Sequence, residues 1–312
     1  MASIVQLTYI VALDTYRHYV KAAEKCFVTQ PTLSMQVKKL EDELGVIIFD
    51  RSKQPLIPTP IGEKIIAQAR NVLAEYNKIE ELVQAERDII TGELTIGIIP
   101  TLAPYLLPKF IGKLTKKYPD LRVHVLELMT HEIMDNLNKD RLDAGILVTP
   151  LHEKEIIEKP LFYEKMFVYA NREHPFSKKQ KLHSGALDAP GLWLLTEGHC
   201  FRSQVMNLCS VQNEAERTSN FVYESGSIET LRKLVDAEGG FTLLPELAIK
   251  DVPTHRRGQV KSIVPAPLRE VSLVYSRRYA KERLIGALSE EIRQAVPAEM
   301  LSKKRGFIVE WQ

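Results

Sequence analysis

The chain changes its hydrophobic period at Thr91-Gly92. Before that point apolar residues recur at helical spacing; after it, short β-branched runs alternate with helical ones. Just upstream, Thr59-Pro60 pairs an N-cap with proline at the first helical position and opens a helix predicted to run unbroken to about Ile90. Along it Ile65, Ala69, Val72, Tyr76, Ile79 and Val83 alternate steps of four and three, a sustained a/d seam. A helix of ~30 residues is long for one that packs only on its own domain. Residues 60–91 are therefore predicted to be a dimerisation helix joining two dissimilar parts.

Residues 1–59 read as a small all-α unit. Leu7, Ile10, Val11 and Leu13 mark a first helix, and Val20 to Cys26 a second, in which Ala22-Ala23 permits close packing. Pro31 is tolerated only in a first turn, so a third helix starts at Gln30-Pro31 and runs to Leu44, with Gly45 as its stop. Two helices joined by a short turn make a helix-turn-helix. Gln30, Pro31, Thr32, Ser34, Met35, Gln36, Lys38 and Lys39 lie where a recognition helix meets base edges and phosphates. Val46-Ile47-Ile48-Phe49 and Leu56-Ile57-Pro58 flank a tip carrying Arg51 and Lys53, a hairpin that suits the phosphate backbone as a wing.

Hydrophobic content of 45% and charged content of 26% over 312 residues predict a soluble chain of two or three domains. The net charge of +2 decides nothing about nucleic acid, because a binder can localise its positive charge. No apolar run reaches the ~20 residues needed to span a bilayer, so no membrane association is expected. The first residues carry no basic region and no small-residue cleavage site, which predicts a cytoplasmic protein.

From Gly92 onward strands are predicted at 94–99, 123–128, 144–148, 166–170, 192–196, 221–224, 241–244 and 271–275. Helices fall at about 105–118, 130–137, from 200, 227–237 and 284–296. Such β-α-β order predicts a parallel sheet covered by helices. The order recurs, which predicts two α/β lobes over residues 92–312: lobe I from about 92–164 and 269–312, lobe II from about 165–268. A cleft between lobes is the usual place for a small ligand.

There are three cysteines. Cys26 stands among Ala22, Ala23 and Phe27 and is predicted to be a buried packing residue. Cys200 and Cys209 share the segment from Gly198 to Cys209. A reducing cytoplasm and an odd count argue against a structural staple. The absence of a second close-spaced ligand pair argues against zinc, although His199 adjoins Cys200. No metal or other cofactor is predicted. A redox pair, incidental thiols near a metabolite-binding cleft, and a thiol enzyme using Cys200 with His199 all stay open on the residues alone. The DNA-binding half counts against the enzyme.

A winged helix-turn-helix, a long helix and a two-lobed α/β half together resemble the LysR family of bacterial transcription regulators. The N-terminal resemblance is carried by Gln30-Pro31-Thr32-Leu33-Ser34-Met35-Gln36-Val37-Lys38-Lys39-Leu40-Glu41-Asp42-Glu43-Leu44-Gly45. The effector half is similar to the peroxide-sensing members of that family, through Ile96-Gly97-Ile98-Ile99-Pro100-Thr101, Pro104-Tyr105-Leu106-Leu107-Pro108, Thr130-His131, Gly198-His199-Cys200-Phe201-Arg202, Cys209, Ser227-Ile228-Glu229-Thr230-Leu231-Arg232 and Thr242-Leu243-Leu244-Pro245. The resemblance implies an effector domain of the type 2 periplasmic-binding-protein kind. It implies an activator that binds double-stranded promoter DNA as a dimer or homotetramer and acts with RNA polymerase in the oxidative stress response. Hydrogen peroxide as the signal would oxidise Cys200 to a sulfenic acid, and Cys209 would resolve it as a reversible intramolecular disulfide. A thiol reductant such as glutaredoxin or thioredoxin would reset it. Thr101, Thr130 and His199 match pocket positions, and Arg202 and Arg269 match nearby basic ones. Ser203 departs from the family, whose members commonly carry an acidic residue there.

The residues themselves assign roles to the pair. Cys200 follows a Gly-His turn at the predicted start of a helix, whose amide dipoles favour an anion, with His199 and Arg202 as polar neighbours. Cys209 keeps the apolar company of Val205, Met206 and Leu208. If 200–209 is one helix, nine residues separate the α-carbons by ~13.5 Å. A disulfide needs them within ~7 Å. The bond then requires the helix to unravel.

Overall fold

The structure, a computed structural model, describes residues 2–86, 90–187, 189–209, 226–277 and 281–311. The predicted strand at 221–224 and part of the predicted run to Ile90 lie outside the described residues.

The N-terminal unit starts with helix α1 (Ile4–Tyr16), opened by a capping box in which Ser3 and Gln6 satisfy each other's backbone N–H. Arg17, in the left-handed region, ends it. Helix α2 (Tyr19–Lys25) and helix α3 (Gln30–Leu44) follow. Thr29 caps α3, Pro31 sits in its first turn and Gly45 closes it in the left-handed conformation. Leu33, Val37 and Leu40 recur on one face of α3 and are buried with Ile10, Leu13 and Phe49. The wing is a minimal hairpin, β1 (Phe49–Asp50) paired antiparallel with β2 (Ile57–Pro58), shorter than the flanking apolar runs predict. Helix α4 (Pro60–Glu86) begins with the Thr59 hydroxyl accepting from the Gly62 N–H at 3.0 Å. Its first turns bury Ile66 and Ala69 in the same core, and Arg70 is ion-paired with Asp14 of α1 at 2.8 Å.

The second unit contains β3 (Gly92–Ile98), α5 (Ala103–Lys117), β4 (Leu121–Glu127), α6 (Thr130–Asn138), β5 (Ala144–Thr149), β6 (Ile156–Ala170) and β7 (Lys181–His183). It continues with α7 (Cys200–Cys209), α8 (Ile228–Glu238), β8 (Phe241–Pro245), α9 (Glu246–Ile249), β9 (Val260–Val264), β10 (Pro267–Ser276), α10 (Glu282–Ala295) and β11 (Phe307–Ile308). The strands run in the order β4-β3-β5-β10-β6-β9-β7, with β11 on β10 and β8 on β6.

The sheet is mixed rather than purely parallel. β3 pairs parallel with β4 and β5, as the βαβ order predicts. β10 instead returns antiparallel to β5, and β6 pairs antiparallel with both β8 and β9. β6 is 15 residues long, three times the predicted 166–170, because its first half lies outside the apolar run that periodicity detects. β6 and β10 are neighbours at the middle of the order. The predicted strand at 192–196 does not form. Leu192 makes an isolated bridge to Phe241, where the backbones of Gly191 and Gly240, both at positive φ, pass in close contact. No helix among the described residues is long and apolar enough to cross a membrane.

Candidate functional site

Helix α7 starts and ends on a cysteine. Gly198, at φ 88° in the region that favours glycine, turns the chain into it. The His199 carbonyl then accepts the Arg202 N–H at 2.9 Å, the first helical bond. Cys200, Phe201, Gln204, Val205, Leu208 and Cys209 are its buried face. All three cysteines are thiols: Cys200 and Cys209 are buried, whereas Cys26, predicted to be a buried packing residue, is half-buried at the end of α2.

Around Cys200 the fold gathers groups from four elements. The Arg269 guanidinium, from β10, lies 4.9 Å from the Phe201 ring centre and has no exposed surface. Its Nη1 donates to the Thr101 hydroxyl at 3.2 Å, and its Nε donates to Glu164 Oε1 of β6 at 3.0 Å. Glu164 is itself fully buried and ion-paired with Arg269 through Nη2. Burial pushes the Cys200 thiol up; the Arg269 charge, the Thr130 hydroxyl and the Phe201 N–H each pull it back toward thiolate. Burial also pushes the neighbouring His199 down, so its ring is neutral at pH 7. The sequence expectation of a cysteine helped to ionise by a helix N-terminus is thus corrected in balance. The anion-favouring groups are present, but desolvation outweighs them.

Among the described residues, two of the buried polar atoms that have no hydrogen-bond partner of full geometry stand beside Cys200: His199 Nε2 and Thr130 Oγ1. One belongs to the residue before Cys200 and the other to a group that acts on its sulfur. Buried polar atoms without partners are uncommon and mark places where a small polar ligand gains the most from binding. Gly226 packs on the same imidazole, where a β-carbon would stand 3.3 Å from His199 Nε2.

Thr101, Thr130, His199 and Arg269 are therefore brought together around Cys200. Arg202 is turned differently: its Nη1 donates to the Leu195 carbonyl at 2.9 Å. Ser203 is half-buried one turn inside α7, and His131 is exposed.

In the helix-turn-helix, Gln30, Pro31 and Lys38 are exposed on α3, and Thr32, Ser34 and Gln36 are half-buried. Gln36 accepts from Gln6 of α1 at 3.4 Å, which orients it. Arg51 of the wing is tied inward to Glu41 of α3 at 2.7 Å, where Glu41 also accepts the Ile48 and Phe49 N–H groups. Lys53 is exposed at the tip. On α4, Ile65 and Ala69 face the N-terminal core, while Val72, Tyr76, Ile79 and Val83 are exposed together with Leu82.

Sequence reasoning missed Glu164, Gln204 and Asn207. Glu164 carries no local signal, since its partner is more than a hundred residues away. The two amides were legible only as polar positions within the helix that separates the cysteines.

Two family descriptions match the chain: "Bacterial regulatory helix-turn-helix protein, lysR family" over residues 4–63 and "LysR substrate binding domain" over residues 88–297. The chain is 38% identical over 293 residues to a hydrogen peroxide-inducible genes activator of Haemophilus influenzae, covering 92% of this chain and 96% of that one. Among solved structures it resembles full-length OxyR of Pseudomonas aeruginosa, a cysteine-to-aspartate variant, at TM-score 0.78 and 38% identity, over 94% of this chain and 98% of that one. It also resembles a peroxide-bound cysteine-to-serine variant of OxyR from Corynebacterium glutamicum, at TM-score 0.59 and 30% identity, over 95% and 94% of the two chains.

Proposed function

The chain belongs to the LysR family of bacterial transcription regulators, and from that membership we propose that Cys200 and Cys209 are its peroxide-sensing pair. It is an OxyR-like regulator, whose relatives are regulators rather than enzymes; a helix-turn-helix protein of this kind binds DNA and assembles with its own copies. Hydrogen peroxide is the signal that this likeness supports.

The chemistry takes two balanced steps. The Cys200 thiolate attacks one peroxide oxygen; the O–O bond breaks, an S–O bond forms, and the departing hydroxide takes a proton to leave as water. The Cys209 thiol then attacks the sulfenic sulfur, forming the disulfide and releasing a second water. Cys200 is a poised thiol rather than a standing thiolate. Arg269, Thr130 and the Phe201 N–H are already aimed at the charge that develops on sulfur. His199 Nε2 and the Thr130 hydroxyl are left to meet the peroxide, and Thr101 holds Arg269 in place.

The carrying observation is the placement of two buried thiols at opposite ends of one ten-residue helix. An intact helix holds their α-carbons ~13.5 Å apart, so closing the bond converts a local oxidation into refolding of the effector domain. In this reading residues 1–59 contact promoter DNA, through Gln30, Pro31, Thr32, Ser34, Gln36 and Lys38 on α3 and through Lys53. Arg51 positions the wing through Glu41. Residues 60–91 form the subunit contact along Val72, Tyr76, Ile79 and Val83. Lobe I takes 92–164 and 269–312, and lobe II takes 165–268, with Glu164 and Arg269 at the crossing between them. RNA polymerase reads the outcome, and a cytoplasmic thiol reductant of the glutaredoxin or thioredoxin kind resets it.

Titrating the reduced protein with micromolar peroxide and mapping its peptides tests the pairing. A Cys200–Cys209 disulfide is expected; its absence, or a Cys200→Ser variant whose DNA footprint still responds to peroxide, sinks it.

A further inference from the structure

The last residues cross the second unit as a strap. Arg305 donates to both carboxylate oxygens of Glu246, at 2.9 and 2.6 Å, and to the Tyr163 carbonyl at 3.3 Å. Gly306 then passes so close to Ala266 that a β-carbon would lie 2.0 Å from its carbonyl oxygen. β11 pairs parallel with β10 at Pro267 and Leu268, directly before Arg269, and the Val309 N–H donates to the Leu268 carbonyl at 2.9 Å. Beyond it the segment meets α7: Gln204 Nε2 donates to the Val309 carbonyl at 2.6 Å and Asn207 Nδ2 to the Glu310 carbonyl at 2.9 Å. Trp311 Nε1 closes the run on the Pro150 carbonyl at 3.0 Å.

Gln204 and Asn207 stand three apart, one turn of the helix, and both lie between the cysteines. Gln204 is fully buried and its Oε1 has no partner, so the bond to Val309 is what justifies an amide there. Were the strap to lift, the Nε2 donor would be stranded in the same dry place. Were α7 to unwind, the strap would lose two of its anchors. The helix and the strap therefore hold or give way together.

We propose that residues 305–311 are a strap that keeps α7 helical, and that Gln204 and Asn207 are positioning residues that set how fast Cys209 reaches Cys200. The proposal rests on the two-cysteine reading above and adds its barrier: the strap opposes the second chemical step and leaves the first alone. Peroxide attack needs only Cys200 and its neighbours, none of which the strap's side chains replace. Disulfide closure needs α7 to open, and opening must first break the contacts to Val309 and Glu310. The oxidised protein has its chain end released.

Three variants test it: deletion of residues 307–312, Gly306→Ala to push the strap off β10, and Asn207→Ala. Asn207 is exposed, so its variant folds even if the others do not. Hydrogen exchange of the α7 amides in the reduced protein is the first readout. Sulfenic acid trapping by a dimedone-type nucleophile and disulfide formation, timed separately, are the second. Losing one net hydrogen bond in Asn207→Ala predicts faster α7 exchange and faster disulfide closure, each by about threefold to tenfold, with the trapping rate unchanged; the other two variants should speed exchange and closure at least as much. In the wild-type protein, exchange at 305–311 rises on oxidation. Unchanged α7 exchange in the variants overturns the strap, as does closure that keeps its wild-type rate. A wild-type protein that forms no disulfide would instead remove the two-cysteine reading, while the exchange result still decides whether the strap holds the helix.

Discussion

Arg269 and Glu164 form an ion pair with no exposed surface on either side chain, and the same guanidinium donates to Thr101 at 3.2 Å. Burying both charges is costly, and only the pairing and its hydrogen bonds offset the cost. The arrangement keeps a cation beside Cys200, with a carboxylate paired to the same guanidinium. Burial pushes Glu164 up, yet Arg269 and the Leu247 N–H oppose that shift.

Removing either partner strands the other. Glu164→Ala should lower stability by about 3–5 kcal/mol, read from the denaturant midpoint. Glu164→Gln keeps the shape and frees the Arg269 field, so Cys200 alkylation should shift to lower pH. A folded variant with the wild-type pH profile would argue that Glu164 has no electrical influence on the thiol.

Thr130 pulls Cys200 toward thiolate. Thr130→Val should therefore raise the thiol further, slowing reaction with peroxide at neutral pH by about tenfold for each pH unit of displacement. Raising the pH should recover the part of the loss that comes from ionisation, and the remainder measures the contact with peroxide. A loss that raising the pH does not reduce at all would mean that Thr130 leaves the thiol alone.

His199 is depressed by burial, and the sign of its linkage follows. The unfolded chain takes up the proton first as pH falls below the ordinary histidine value of about 6.5, so this residue costs the folded state stability in acid. Wild-type protein should lose more unfolding free energy than His199→Gln between neutral pH and mildly acid pH. Equal losses would refute the assignment.

The wing residues should separate. Lys53→Ala should reduce the salt dependence of DNA binding by about one unit of slope, as loss of one phosphate contact does. Arg51→Ala should lower stability instead, because its guanidinium braces Glu41 under the hairpin. Thermal melts of both variants, with DNA titrations at several salt concentrations, check this.

On α4 the apolar side chains of Tyr76, Ile79 and Val83 are exposed in one chain. Ile79→Glu should weaken self-association, seen as a lower sedimentation coefficient at the same concentration. An unchanged profile would locate the subunit contact elsewhere.

Much of the N-terminal half was legible because its signals are local. Pro31 and Gly45 bracket α3, and Thr59 with Pro60 opens α4, since caps and fixed dihedrals act within a few residues. The two cysteines likewise mark the ends of α7, so the obstacle to their pairing followed from helix rise alone. The wing was overread: an apolar run at 46–49 looks like a strand, but Glu41 takes the Ile48 and Phe49 N–H groups and leaves two residues to pair. The 192–196 run likewise makes isolated bridges in place of a strand, beside Gly191 and Gly240 at positive φ.

Sequence by itself determined the bounds of α3, the opening of α4 and the helical rise that separates two thiols. Tertiary structure decided what surrounds them: Glu164 meets Arg269 and Gln204 meets Val309, each across 105 residues. Neither pairing leaves a trace in local spacing. A charge or an amide acquires its partner, and its influence on a neighbouring thiol, only once folding removes the water that would otherwise have satisfied it.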